Sequence, residues 1–213
     1  MKTLILVDIQ NDFLPGGSLP VKEGDKIIPL IRELVQAPFD LIVATKDWHP
    51  PSHGSFADNH GKHPGKHVNL DGIDQILWPR HCVQDSWGAE FASGWDTSRV
   101  EKVIYKGTDP HIDSYSTFFD NAHLKSTGLE NFLRSRGVKE IYIAGLATDY
   151  CVKYSVLDAI QLGFEPHVII DACRAVNLQP NDGKHALELM QKSGAGLTSF
   201  AELMDKMPPS KEF

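Results

Sequence analysis

Short apolar runs alternate along this chain with stretches in which apolar residues recur every three to four positions. Leu4-Ile-Leu-Val-Asp8 is a run ending in an acid and predicts a strand buried on both faces. After Glu23-Gly24-Asp25, the stripe Ile27, Leu30, Ile31, Leu34 and Val35 predicts a helix that stops before Pro38. Residues 40–45 and 100–105 predict a second and a third strand. Leu129, Phe132 and Leu133 mark a short helix closed by Gly137, and residues 140–145 a fourth strand. Thr148-Asp149 opens a helix carrying Val152, Val156, Leu157 and Ile160, which Gly163 ends. A fifth strand is expected at 167–171, a helix lined by Ala186, Leu189 and Met190 ends at Gly194, and a short strand follows at 196–200. The tail from Met207 reads as frayed. Strands alternating with helices imply a three-layer α/β/α architecture, with a mostly parallel, doubly wound sheet of about six strands. No linker or repeat interrupts residues 1–213, so one domain is expected; it contains a long aperiodic region at about 47–99, of the length that usually carries function.

Composition narrows the function classes. With 21 basic and 28 acidic residues the formal charge is −7 and no basic stripe exists, which argues against nucleic acid as a partner. Hydrophobic residues make up 41% of the chain, too many for a disordered protein, and no apolar run approaches the ~18 residues of a membrane span. Asp8 interrupts the first run too early for a signal peptide, and the three cysteines do not form a disulfide framework, so a cytoplasmic setting is expected. A homo-oligomer is compatible with all of this. Six of the ten histidines lie between His49 and His81 and all four tryptophans between Trp48 and Trp95, which marks the aperiodic region as site-building.

Sites in parallel sheets form at the carboxyl ends of the strands, near the point where strand order reverses. The predicted strand ends carry Asp8, Asp47 with His49, Lys106, and Cys151 on the first turn of a helix. A thiol at a helix N-terminus is eased toward the nucleophilic thiolate, although a buried cysteine is also an ordinary small hydrophobe. Asp8 is suited to exchange a proton with that thiol, or simply to cap the turn of Gln10-Asn11-Asp12. Lys106 at a buried strand end must pair with an anion such as Asp8, or else lie on a solvated loop. Asp47, His49 and His81 form a plausible divalent-metal set; His53, His60, His63 and His67 read as surface loop histidines. Phe13, Trp48 and Trp78 can sandwich a flat ring, or simply pack in the core. Neither a dinucleotide-binding glycine motif, a phosphate loop nor a Gly-x-Ser-x-Gly elbow is present.

The segments Leu6-Val-Asp-Ile-Gln-Asn-Asp-Phe13, Asp47-Trp-His-Pro50 with His53-Gly-Ser-Phe56, Trp78-Pro-Arg-His-Cys82, Lys106-Gly107, Asp113-Ser-Tyr-Ser-Thr-Phe-Phe-Asp120 and Gly145-Leu-Ala-Thr-Asp-Tyr-Cys-Val152 occur in order along nearly the whole chain. In them the sequence resembles nicotinamidases, which also hydrolyse pyrazinamide, within the isochorismatase-like hydrolase superfamily. The resemblance implies that fold, and Asp8, Lys106 and Cys151 as a catalytic triad. It implies one divalent metal on Asp47, His49 and His81, zinc first with iron(II) or manganese as alternatives, and His53 as a neighbour that need not bind it. It further implies a cis peptide between Leu146 and Ala147, an oxyanion hole from the Ala147 and Cys151 amides, and Phe13 and Trp78 against the substrate ring. The expected reaction is hydrolysis of nicotinamide to nicotinate and ammonia through a cysteine thioester, serving NAD salvage. The alternatives are a relative acting on another small amide, a metal-hydroxide hydrolase in which Cys151 is structural, and a binding protein without turnover.

Overall fold

The computed structural model describes residues 1–207. Six strands form one sheet: β1 (Lys2–Val7), β2 (Leu41–Asp47), β5 (Lys102–Lys106), β6 (Glu140–Leu146), β7 (Glu165–Arg174) and β8 (Gly196–Thr198). Their spatial order is β5-β2-β1-β6-β7-β8 and every pairing in the sheet is parallel. Taken in chain order the strands run outward from β1 to one edge, then return to β6 and run outward to the other. The reversal falls between β1 and β6, where a doubly wound sheet opens its crevice.

Alternation along the central strands supplies both cores. Leu4 and Leu6 of β1 pack with Ile42, Ala44 and Ala144 beneath α1 (Ile28–Leu34) and α5 (Phe200–Lys206). Ile5 and Val7 pack with Val43, Ile141 and Ile143 beneath α2 (Leu129–Ser135), α3 (Lys153–Gln161) and α4 (Asp182–Ser193). Two covered faces explain why β1 reads as an unbroken apolar run.

The architecture is the one the hydrophobic pattern predicts; several details differ. The aperiodic region contains a two-stranded antiparallel hairpin, β3 (His67–Leu70) and β4 (Ile73–Ile76), whose four-residue strands are too short for the alternation in His67-Val-Asn-Leu70 to stand out. Ser199 and Glu202 form a capping box that starts α5, a helix absent from the sequence reading. Leu189, expected on the buried face of α4, is 46% exposed; Ala186 and Met190 fill that face. The turn carrying Cys151 is a π-helical segment, Thr148–Val152, that runs on into α3. The expected fraying of the tail falls, from residue 208 onward, outside the described residues. Among the described residues no helix is long and apolar enough to cross a membrane.

Candidate active site

Four strand ends converge. Asp8 follows β1 in the left-handed region, at φ 51°, which turns the chain at the carboxyl edge of the sheet. Gly145 of β6 runs so close to β1 that a Cβ would sit 2.1 Å from the Val7 carbonyl oxygen, so only glycine lets the two strands meet here. The next peptide, Leu146–Ala147, is cis, and Cys151 follows on the π-helical turn.

Lys106 is the hub. Its ammonium is 1% exposed, 2.8 Å from Asp8 Oδ2 though off the hydrogen-bonding direction, and 3.3 Å from Cys151 Sγ. It also donates to Asp47 Oδ1 and, at 3.0 Å, to the Ser114 carbonyl. The sequence expectation paired Lys106 with Asp8 alone; the structure adds Asp47. Asp8 Oδ1 accepts from the Thr45 hydroxyl at 2.5 Å. Oxygens of Asp8 and Asp47 and the Cys151 sulfur lie within 4.8 Å of one another. Gln10 clamps the Asp47 backbone, accepting from its N–H at 2.8 Å and donating to its carbonyl at 2.8 Å.

Burial sets the protonation of this cluster. It pushes the Asp8 carboxyl up, with Lys106 opposing, and pushes the Cys151 thiol well up, again with Lys106 opposing. Burial opposes the charge of Lys106 too, but Asp47 and Asp8 outweigh it and hold the ammonium well above the usual lysine range. Burial likewise resists ionisation of Asp47, yet Lys106 and its neighbours keep that carboxyl well below the carboxylate range. The expected easing of the thiol by a helix N-terminus is thus outweighed by desolvation.

Asp47 faces a second group with its other oxygen. His49 Nε2 is 3.7 Å and His81 Nε2 3.8 Å from Asp47 Oδ2. His49 Nδ1 is 2.8 Å from the Gly107 carbonyl and His81 Nδ1 2.7 Å from the Pro79 carbonyl. A carbonyl only accepts, so each Nδ1 carries hydrogen and each Nε2 is left facing Asp47. A carboxylate and two imidazole lone pairs within 4.8 Å of one another fit a divalent transition metal. At Gly107 a Cβ would meet the His49 ring at 2.3 Å, so glycine is required beside that ring. His53 is buried, its ring 4.2 Å from that of His49, its Nδ1 2.7 Å from the Ser55 hydroxyl and its Nε2 unpartnered. Burial and the neighbouring histidine push its pKa down to about 4, which keeps it neutral. It is therefore not the surface histidine its loop suggests, whereas His60, His63 and His67 are exposed.

A cleft joins the two groups. Phe13, Asp47, Trp78, His81, Ala147 and Cys151 line it, as expected from the sequence. Leu19, Val21, Asp113, Tyr115, Tyr150 and Val176 line it as well. Tyr115 and Tyr150 lie inside recognisable motifs, at Asp113-Ser-Tyr and Asp149-Tyr-Cys, and that placement is the one signal that could have marked them. Trp48 is not in the cleft: next to Asp47 its side chain points the other way, edge-on to Tyr105 at 5.1 Å with the Lys46 ammonium 5.3 Å from its ring.

A family model described as the isochorismatase domain matches residues 2–202. A nicotinamidase of Escherichia coli (strain K12) is 46% identical, the match covering 94% of this chain and 96% of that protein. The chain belongs to the nicotinamidase/pyrazinamidase family. The solved structure of a nicotinamidase/pyrazinamidase from Acinetobacter baumanii superposes with a TM-score of 0.91 at 42% identity, covering 95% of this chain and 97% of that one. A Pyrococcus horikoshii pyrazinamidase solved in complex with zinc gives 0.76 at 41% identity, covering 93% and 98%. This nicotinamidase-family chain is thus an isochorismatase-like hydrolase with a donor set for a divalent metal on the wall of its cleft.

Proposed function

We propose that this enzyme hydrolyses nicotinamide to nicotinate and ammonia, and pyrazinamide likewise, with Cys151 as nucleophile, Asp8 as proton carrier and Lys106 as their electrostatic partner. The observation that carries the reading is that Cys151 and the Asp47–His81 donors open onto one aromatic-walled cleft. Asp47, His49 and His81 would hold the cation, zinc first, and when bound it supplies a Lewis-acid site for the pyridine nitrogen that orients the ring. Phe13 and Trp78 would flank the ring and fix the carboxamide over Cys151.

A thiolate freed in this buried cluster would add a charge away from solvent. Transfer of the thiol proton to Asp8 avoids this, because the total charge stays constant. Sγ then attacks the carboxamide carbon, and the backbone N–H groups of Ala147 and Cys151 meet the developing oxyanion; loss of one such donor costs roughly 3–4 kcal/mol. Asp8 returns the proton to the departing nitrogen and ammonia leaves. A water that gives its proton to Asp8 opens the thioester, releasing nicotinate and restoring the thiol.

The reading treats residues 1–213 as one domain working in the cytoplasm, where the free Cys82, Cys151 and Cys173 suit a reducing setting. Ammonia release from nicotinamide, with metal content measured on the same sample, tests it. Steady release with about one metal per chain is expected. Benzamide, which lacks the ring nitrogen, is expected to be a much poorer substrate; equal rates would remove the orienting role of the metal.

A further inference from the structure

The strand residues of the β3–β4 hairpin alternate between exposed and half-buried at all but one position. Of the residues in its two strands only Gln75 is buried, at 2% exposure. A two-stranded hairpin is marginal alone, so its position depends on what it docks against. The Gln75 amide nitrogen reaches the Tyr115 hydroxyl at 3.1 Å, Asp113 Oδ2 at 3.2 Å and the Ile76 carbonyl at 2.7 Å. The same Tyr115 hydroxyl accepts from Trp78 Nε1 at 3.1 Å. Asp113, Tyr115 and Trp78 all line the cleft, whereas Gln75 does not.

We propose that Gln75 is a positioning residue that latches the hairpin onto the cleft and, through Tyr115 and Trp78, sets the width of the slot that receives the substrate ring. The inference rests on the nicotinamide reading. Tyr115 and Trp78 share the chain Asp113–Gln75–Tyr115–Trp78, so removing the amide takes one of its two donors from the Tyr115 hydroxyl, the same hydroxyl that accepts from the indole. The latch makes no contact with Cys151, Asp8 or the Lys106 ammonium, so its loss belongs in substrate fit rather than in bond-making.

The test compares Gln75→Leu, Tyr115→Phe, the double variant and Asp74→Ala with the wild type, on nicotinamide and on 5-methylnicotinamide. Asp74 pairs with His67 at 2.9 Å on the exposed side of the same hairpin, so Asp74→Ala loosens the hairpin without touching the latch. Gln75→Leu is expected to raise KM for nicotinamide about tenfold, the size of one or two lost hydrogen bonds, with kcat changed by less than about threefold. The preference for nicotinamide over its methylated analogue should narrow. Tyr115→Phe, which cuts the latch from the other side and covers the case of a poorly folding Gln75→Leu, should do the same. The double variant should be little worse than either single one. Wild-type KM and selectivity in Gln75→Leu, or an equal KM rise in Asp74→Ala, would overturn the latch. An inactive, metal-loaded wild type would instead overturn the substrate reading and the inference with it.

Discussion

Lys106 is a buried ammonium held between two carboxylates and a sulfur. Deleting one partner of a buried ion pair strands the other, so Lys106→Met is expected to destabilise the fold by about 3–5 kcal/mol, read from urea denaturation, besides abolishing turnover. Cys151→Ala separates thioester chemistry from a metal-hydroxide route: activity should vanish while metal content stays at the wild-type level, and surviving turnover would make Cys151 structural. The residues of this cluster were legible because each stands at the end of an apolar run, where a charge has no business unless it is used. The second partner of Lys106 was not legible, since sequence places Asp47 and Lys106 at strand ends but says nothing of which strands are neighbours. Trp48 was misplaced for a related reason: an aromatic beside Asp47 points to the opposite face of the strand, and of the tyrosines that do line the cleft Tyr115 sits in a loop and Tyr150 on the π-helical turn, neither within a readable stripe.

At the scale of elements, helices and strands with full apolar stripes were legible and those held by polar contacts were not. α5 starts at a capping box, Ser199 accepting from the Glu202 N–H at 3.3 Å and Glu202 from the Ser199 N–H at 2.9 Å. Ser199→Ala is expected to cost about 1 kcal/mol in denaturation, with kinetic constants unchanged, because neither Ser199 nor any residue of α5 lines the cleft. The hairpin β3–β4 escaped notice because its single buried position, Gln75, is polar. Leu189 shows the converse error, an apolar residue at helical spacing that faces outward.

For the molecule as a whole, the topology followed from the alternation of strand and helix, while the strand order came only with the coordinates. Buried thiols give the whole fold an alkaline limit. Burial pushes the Cys173 thiol up to about 12. The folded state therefore keeps this proton after the unfolded chain has lost it, near pH ~8.5. Its contribution is complete below that value and is lost as pH rises toward 12, at about 1.4 kcal/mol per pH unit. Denaturation free energies measured at rising alkaline pH should fall, and Cys173→Ala should fall less steeply.

The parallel order β5-β2-β1-β6 has a consequence for how activity appears in time. Lys106 and the three side chains around it come from four different strands or the turns that follow them, and no two of those strands are joined by a tight turn. Partial sheets hold none of the chemistry, and long crossovers must close before the last strand docks. Catalytic rate during refolding is then a clock for the final assembly step: secondary structure should return first and turnover only when the sheet is whole.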